Sequence, residues 1–389
     1  MNPFNTNILK KVRRRTIIKF GSPIVELQER QKIMEVLDSG IFVHGSKTTE
    51  FEDQFSGSFG YKNSVSVASC TAGLHLAHHC LSRSYLEKKT IDVPEVLCPA
   101  MTHVATSHAI ELCGLRPVFV DCELETGNSS CEQFEEKISN KTIGIAPMHF
   151  NGVPCEINEI SALAKEKNLY LVEDCAISLG STKNSQPVGT FGDCGVFSFH
   201  PVKQMTTGEG GMIVTDNDVF ANKLQYTRAF GVDRNFNERK IPGQYEVPFL
   251  GFNYRMAEIP AAMGISQLQK VKKFQASRKN NYIALENNLK HLEKIKIMGC
   301  SDIIGRTFYT LIILLKDSRL NRDLIIKKML DEGVQTSIYY PSPVPRFLFY
   351  QKKYEYDSKD FPNATSISDR SIALPIGPHL GLTEMKTIS

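Results

Sequence analysis

One lysine stands out by its surroundings in the stretch GDCGVFSFHPVKQMTTGEGGMIVT, residues 192–215. The runs GVFSF and MIVT have the apolar pattern of buried strands, and the three glycines of TTGEGG favour a tight loop between them. Lys203 therefore follows the end of a predicted strand, at the edge of a sheet. A reactive amine suits that place, and so does an ordinary solvated lysine.

Other polar residues come at the ends of neighbouring predicted strands. Asp174 follows LYLVE, and Thr71 and Ala72 follow SVSVAS where a helical run begins. Ser198 is a hydroxyl close to the lysine, and His103 begins another helical run. Ligands of open α/β sheets bind outside the carboxyl ends of the strands, so we expect these side chains to share one site.

This set of residue types matches the needs of pyridoxal phosphate. Lys203 can form a Schiff base with the cofactor's aldehyde, and Asp174 can keep its pyridine nitrogen protonated. The N–H groups at Thr71 and Ala72 open a helix, where phosphate is favoured by N–H donors and by the helix dipole. His103 could stack on the ring, or could be an ordinary surface or core histidine.

The elements that position these residues alternate between about residues 60 and 215. Strand-like runs and helical runs follow one another, which predicts an α/β sheet, largely parallel and covered on both faces. From residue 256 to about 294 a long helical pattern is interrupted near its start by Pro260. Beyond it, RTFYTLIILL and VQTSIYYP are strand-like and RDLIIKKMLDEG is helical. We expect a large α/β domain at 1–265, including a basic leader of about 20 residues, and a smaller α+β domain at 266–389.

Composition excludes several classes of protein. The chain has 389 residues and a net charge of +4, too low for a dedicated nucleic-acid binder. The run KKVRRR at 10–15 is either a solvated leader or a phosphate or membrane contact. No secretory signal or membrane span is expected, since the longest apolar run is LIILL.

The ten cysteines include no CxxC pair, so we expect neither a metal site nor disulfides. We expect the cysteines to be small buried residues of a protein in a reducing cytoplasm.

Three motifs give the chain a resemblance to a known family. VEDCAISLGS, VGTFGDCGVFSFHPVKQMTTGEGGMIVTD and LGFNYRMAEIPAAMGISQL resemble segments of the DegT/StrS sugar aminotransferases. The resemblance covers most of the chain and implies a fold-type I pyridoxal-phosphate enzyme. It also implies a homodimer with shared active sites, in which Asn253 reaches the partner's phosphate group.

The activity implied by the resemblance is transamination of a nucleotide-linked keto-sugar, with glutamate as the expected amino donor. The amino sugar would enter lipopolysaccharide, another polysaccharide or a glycan. The sugar, the nucleotide (UDP, GDP or dTDP) and the carbon aminated (C3 or C4) are left open. Two tyrosines, Tyr339 and Tyr340, would line the sugar pocket or fill the core. A basic loop would either bind the diphosphate or be solvated, and its cations are Arg228, Arg234, Arg239 and Lys240.

The chain departs from the family pattern in four places. Ile177 stands where relatives have a polar residue, often Gln, that bonds the cofactor's ring oxygen. Cys70 replaces the glycine before the phosphate-binding threonine, and Pro345 replaces a histidine in the segment PSPVPRF. The sequence ends at LTEMKTIS, where relatives tend to continue through a last helix, so a slightly short small domain is expected.

Three other functions compete with transamination. A sugar dehydratase of the same family would carry histidine in place of Lys203. A non-catalytic regulator that binds the cofactor would need a second module, for which the leader is too short. A nucleotide phosphate loop at TTGEGG is disfavoured because GxxxxGK[ST] does not occur in the sequence.

Overall fold

A computed structural model describes residues 17–87, 90–233, 241, 244–317 and 319–389. Most of the basic leader lies outside the described residues. So do three of the four cations assigned to the basic loop, Arg234, Arg239 and Lys240.

The large domain is organised around a seven-stranded sheet whose strand order is β1-β9-β8-β5-β4-β2-β3. Only β9 runs antiparallel to the others, which confirms the largely parallel sheet predicted from the sequence. The strands are β1 (Asn63–Val67), β2 (Glu95–Pro99), β3 (Arg116–Val120), β4 (Thr142–Ile145), β5 (Tyr170–Asp174), β8 (Cys194–Ser198) and β9 (Gly211–Thr215). A separate two-stranded hairpin is formed by β6 (Thr182–Lys183) and β7 (Gln186–Pro187).

The strands are short and almost entirely buried, because helices cover both faces of the sheet. Ser198 at the end of β8 pairs with Gly211 at the start of β9, so the connection between them leaves from the carboxyl edge of the sheet. Lys203 lies on that connection. The β5 strand also ends at this edge, with Asp174.

The helices fall into those of the sheet domain and those near the carboxyl end of the chain. The former are α1 (Leu27–Ser39), α2 (Ser46–Phe59), α3 (Cys70–Leu86), α4 (Val104–Leu112), α5 (Cys131–Glu135), α6 (Ile157–Glu166) and α7 (Asp218–Thr227). The latter are α8 (Glu258–Leu289), α9 (Arg322–Asp331), α10 (Leu348–Tyr354), α11 (Pro362–Arg370) and α12 (Leu382–Ile388).

Pro260 does not interrupt the long helix, contrary to the sequence expectation. The α8 helix begins at Glu258, so Pro260 lies in its first turn. A residue there has no intrahelical partner for its N–H, and the missing proline donor costs no hydrogen bond. The proposed domain boundary at 265/266 lies within this continuous helix.

A three-stranded antiparallel sheet follows α8. It consists of β10 (Ile295–Met298), β11 (Leu311–Leu315) and β12 (Ser371–Leu374), in that order. The predicted strand at 334–341 was wrong, because that segment makes only isolated bridges from Val334 to Ile18 and from Ser337 to Ala373. The sheet and its flanking helices share a hydrophobic cluster that includes Tyr282, Leu311 and Met385.

The cysteines are all free, and seven of the ten are buried. Within the described ranges, no helix combines the length and the apolar character that a membrane crossing requires.

Candidate active site

Asp174 is a buried carboxylate that only neutral groups hold. It is 2% exposed. Thr106 Oγ1 donates to its Oδ2 at 2.6 Å, and the Ala176 N–H donates to its Oδ1 at 3.0 Å. No lysine or arginine of the described residues forms an ion pair with it. A buried carboxylate of this kind is suited to a cationic ligand such as a pyridinium N–H.

Lys203 lies beside the face of a buried tyrosine. Its Nζ is 5.2 Å from the ring centroid of Tyr309, a cation–π arrangement. The Tyr309 and Tyr339 hydroxyls are 2.7 Å apart. The Lys203 backbone N–H donates to the His200 carbonyl at 2.9 Å, which fixes the turn that presents the side chain.

The first turn of α3 carries Thr71 and Ala72. Ser69 is the N-cap of this helix and accepts the Ala72 N–H at 3.1 Å. The earlier N–H groups of the turn, at Cys70 and Thr71, have no intrahelical acceptor and suit a phosphate. Gly73 lets this turn approach the sheet, since a Cβ there would lie 2.7 Å from Val196 Cγ1.

His103 and Ser198 lie around the same strand ends. His103 is the N-cap of α4, and its Nδ1 accepts the Ala105 N–H at 3.2 Å. Partial burial and then the charge of Lys203 lower the pKa of His103, while Asp174 opposes them. Ser198 is half-buried, and its hydroxyl accepts the His200 N–H at 3.4 Å.

Asn253 lies beside the end of α7, close to Arg228. The two side chains differ in whether they already have partners within the chain. Asn253 is exposed, and its backbone forms an isolated bridge with Ala229. Arg228 donates to the Glu52 carboxylate and to Ser66, so its guanidinium is already engaged inside the chain. The expectation that Arg228 binds a diphosphate with the basic loop therefore lacks support from its position.

The positions that depart from the family pattern are buried. Ile177 is buried, and its carbonyl accepts the side-chain amide of Gln204 at 2.7 Å. Cys70 is the first residue of α3, and Pro345 lies in a buried turn. Tyr340 is also buried, with the ring of His103 edge-on to it at 5.8 Å.

Sequence reasoning missed Thr106, Tyr309 and Arg278. Thr106 lies three residues after His103, and this helical spacing was a signal that could have placed it in the site. Tyr309 lies in the segment before β11, and Arg278 of α8 donates from Nη2 to the Lys203 carbonyl at 3.3 Å. No local pattern relates either of them to Lys203.

A buried cluster of His149, Glu173 and Cys175 has side-chain atoms close enough to hold a metal ion. However, each carboxylate oxygen of Glu173 already accepts two hydrogen bonds. Its Oε2 accepts from His149 Nε2 and the Gly189 N–H, and its Oε1 accepts from the N–H groups of Phe191 and Gly192. The cluster is therefore an internal hydrogen-bonded network.

The site has the groups that pyridoxal phosphate requires. Within the described residues, a buried acid that forms no ion pair and a lysine lie at the same sheet edge, and a helix begins close by with open N–H groups. These fit a ligand that is cationic at one end of its ring and anionic at its phosphate.

Comparison with known proteins agrees with this fit. Residues 23–389 match the family model for the DegT/DnrJ/EryC1/StrS aminotransferase family. The GDP-perosamine synthase of Escherichia coli O157:H7 is 32% identical over 360 residues, covering 92% of this chain and 93% of the relative.

Solved structures of the same kind superpose over most of the chain. DesI, solved in the presence of its TDP-sugar product, is 28% identical with a TM-score of 0.82 and covers 95% of this chain and 90% of its own. The putative sugar aminotransferase Spr1654 from Streptococcus pneumoniae, in its PLP form, is 25% identical with a TM-score of 0.87, covering 96% of each chain. The chain therefore belongs to the DegT/DnrJ/EryC1/StrS family and is a pyridoxal-phosphate-dependent aminotransferase of fold type I.

Proposed function

We propose that this protein transfers an amino group from glutamate to a nucleotide-linked keto-sugar, giving an amino sugar for polysaccharide, lipopolysaccharide or glycan synthesis. The observation that carries the proposal is that Lys203 and the buried Asp174, which pairs with no cation of the described ranges, lie at the same edge of the sheet. The sugar-nucleotide relatives support the substrate class. The free cysteines suit a reducing compartment, so we assign the reaction to the cytoplasm.

The residues divide the chemistry between them. Bound pyridoxal phosphate supplies an aldehyde and an electron-accepting ring. Lys203 Nζ would hold the cofactor through its aldehyde and, when free, would move a proton as general base and acid. Asp174 would hold the cofactor through its ring nitrogen, and Thr106 Oγ1 keeps that carboxylate in place. Thr71 and Ser198 are assigned to the phosphate and His103 to the ring. The expected role of the Ala72 N–H is not kept, because that group already donates to Ser69 Oγ.

Lysine at position 203 favours transamination over sugar dehydration. A dehydratase of this family carries histidine there and leaves the aminated cofactor unanchored. A regulator without turnover would need no lysine positioned against an aromatic ring as Lys203 is against Tyr309.

We further propose a homodimer with shared sites, in which Asn253 binds the cofactor phosphate of the partner subunit. Asn253 is exposed, and large apolar side chains are exposed on the segments around it: Phe42, Phe230, Phe249 and Leu250. Phe42 is tied to the start of α8, because the Glu258 N–H donates to its carbonyl. Exposed apolar side chains of this size favour a second copy over solvent.

The decisive experiment combines labelling with product analysis. Borohydride reduction of the yellow holoprotein should attach the cofactor covalently to the peptide that contains Lys203. Mass spectrometry of mixtures with glutamate and a panel of nucleotide keto-sugars should then show an amino sugar. A label on another lysine would contradict the role of Lys203, and no product from any keto-sugar would contradict the proposed reaction.

A further inference from the structure

Asn253 lies between two aromatic residues whose side chains take the opposite face of the segment. Asn253 is exposed, whereas Phe252 and Tyr254 are half-buried and their rings stack with centroids 5.0 Å apart. The N–H groups of Phe252 and Tyr254 donate to the carbonyls of Thr227 and Arg228 at 2.7 and 2.9 Å. The position of the Asn253 amide therefore depends on how the backbone and the two rings beside it are held.

Two histidines of α3 hold these rings. His75 is 6% exposed, and its Nδ1 is 2.9 Å from the Tyr254 hydroxyl. The rings of His75 and His79, one helical turn apart, both lie 4.9 Å from the ring of Phe252. Burial lowers the pKa of both histidines, that of His79 to about 4, so both are neutral at neutral pH. A neutral imidazole keeps one acceptor nitrogen, and Nδ1 of His75 can therefore accept the phenol O–H.

The helix that holds the segment is also the helix that begins at the phosphate turn of its own chain. His75 lies in the second turn of α3, just beyond the open N–H groups of the first. The Tyr254 carbonyl accepts the N–H of Ala68, which precedes that turn, at 2.8 Å. Tyr254 is thus placed to act on two phosphate sites: that of its own chain through Ala68, or that of the partner through Asn253.

We propose that His75 and Tyr254 are positioning residues for the cofactor phosphate of the partner subunit. The inference rests on the proposed dimer, in which Asn253 binds that phosphate. A hydrogen bond weakens steeply when its donor is displaced or turned away, so the Asn253 amide must be held within a narrow range of positions. The bond from Tyr254 to His75 fixes the ring beside Asn253, and through it the amide. Each α3 then supports two sites, one with its first turn and one with its second.

The test uses dimers built from two different chains, each with its own affinity tag. Lys203→Ala in one chain silences one site, so the cofactor that borohydride fixes to Lys203 reports only on the other site. The amount of labelled Lys203 peptide, measured against cofactor concentration, gives the affinity of that site without turnover. The reference dimer combines a Lys203→Ala chain with a wild-type chain.

Two arrangements of Tyr254→Phe then separate the two routes. With both changes on one chain, the surviving site receives Asn253 from the altered chain and should bind the cofactor about tenfold more weakly than the reference, as expected when a hydrogen bond to a charged group is loosened. With Tyr254→Phe on the chain that keeps Lys203, Asn253 comes from a chain with an intact Tyr254. That site should stay within about threefold of the reference. The reverse pattern, or equal affinity in the two arrangements, would overturn the proposal.

Variants of His75 provide a second route to the same loss and keep the test available if the Tyr254→Phe chain does not fold. His75→Leu should weaken the partner's site as Tyr254→Phe does. His75→Gln should recover part of the loss, because its side-chain carbonyl can accept the phenol O–H. Tyr356→Phe is the matched control, since the Tyr356 hydroxyl donates to the Pro117 carbonyl at 2.9 Å, beside β3. It should change neither site, and equal weakening of both sites by His75→Leu would indicate a structural role and contradict the proposal.

Asn253→Ala in the same two arrangements separates this inference from the proposed dimer. If Asn253→Ala weakens only the partner's site while Tyr254→Phe and His75→Leu weaken neither, the shared site stands and the positioning role fails. If Asn253→Ala weakens only the site of its own chain, the shared site itself fails, and the positioning role fails with it.

Discussion

At the scale of single residues, the sheet edge contains two buried charges, Asp174 and Arg278, that form no ion pair with any other described residue. Asp174 is held by a threonine hydroxyl and a backbone N–H, and Arg278 by two carbonyls. Both are buried, so each retains a desolvation cost that a bound ligand of opposite charge removes. This arrangement explains why a pyridinium N–H would suit the buried Asp174.

Asp174→Asn should reduce turnover at least tenfold, about 1.4 kcal/mol in the barrier, because a neutral amide cannot hold the ring proton. Thr106 can still donate to the amide oxygen, so the fold should persist. Steady-state kinetics and thermal unfolding would measure the two effects. Asp193→Asn is the matched control: Asp193 precedes β8 at the opposite edge of the sheet, where its carboxylate accepts the Leu171 N–H. Equal turnover in both variants would remove Asp174 from the chemistry.

His78, in α3, should make the free energy of unfolding decrease at acid pH. Burial lowers its pKa from 6.5 to about 3. The unfolded chain therefore takes up a proton near pH 6.5 that the folded chain refuses until about pH 3, and stability falls as the pH drops below 6.5. By pH 5 this histidine should cost roughly 2 kcal/mol of unfolding free energy relative to pH 7.

His78→Gln should flatten the difference between urea unfolding curves at pH 7 and pH 5 by about that amount. Tyr170→Phe is the control for the hydrogen bond, since the Tyr170 hydroxyl is the partner of His78 Nδ1 at 3.1 Å. It should lower stability at both pH values and keep the pH dependence. An unchanged slope in His78→Gln would mean that the histidine is accessible to protons in the fold.

At the scale of elements, the distance of α3 from the sheet sets the position of the phosphate site. Gly73 makes that distance short, because a Cβ there would approach side chains of three strands, Val67, Val196 and Ile213. Gly73→Ala should cost about 1–3 kcal/mol of stability by overpacking and should also weaken cofactor binding. Gly57→Ala in α2, where a Cβ meets nothing within 4 Å, should not destabilise the protein and can gain up to about 1 kcal/mol from helix propensity.

Urea unfolding and the cofactor dissociation constant would measure both glycine variants. A Gly73→Ala protein that loses stability but keeps its cofactor affinity would separate helix packing from phosphate binding. Such a result would contradict the assignment of the phosphate to this turn.

Element patterns explain how much the sequence could predict. Strands β5, β8 and β9 are short apolar runs bounded by polar residues or glycine, and period and length suffice to identify them. The segment VQTSIYYP at 334–341 is also rich in β-branched and aromatic residues but pairs only through isolated bridges, because tertiary context decides strand pairing. Pro260 shows that the exact start of a helix is difficult to predict from the sequence. A shift of one or two residues in that start decides whether proline falls in the first turn, where it is tolerated, or in the interior, where it interrupts the helix.

At the scale of the whole molecule, the site joins parts of the chain that are distant in sequence. Lys203 lies on the sheet domain, whereas Arg278 and Tyr309 come from the long helix and the segment before β11. Local periodicity predicts elements but not which of them meet, so these two residues could not be found from the sequence. Local sequence patterns also do not predict contacts between subunits. The proposed contact of Asn253 with the partner's cofactor phosphate therefore rests on the family resemblance.

The proposed shared site leads to a prediction about mixed dimers. Lys203→Ala and Asn253→Ala should each be inactive alone, the first without the reacting amine and the second without part of the phosphate site. If Asn253 serves the neighbour's cofactor, a dimer with one chain of each kind has one site carrying both lesions and one carrying neither. Activity per mixed dimer should return towards half that of wild type after subunit exchange.

If Lys203 and Asn253 served the same site from one chain, every site in the mixture would keep a lesion and mixing would restore nothing. Native mass spectrometry with one isotopically labelled chain would confirm that exchange has taken place. Asn63→Ala is a suitable control partner for Lys203→Ala, because the Asn63 side-chain amide donates to Asp218 and to the Thr215 carbonyl at the opposite end of β1. That variant should be active alone, and its mixed dimers should follow the simple average of the two chains. With Asn253→Ala both parent proteins are inactive, so recovery above their average would come only from a site built by two subunits.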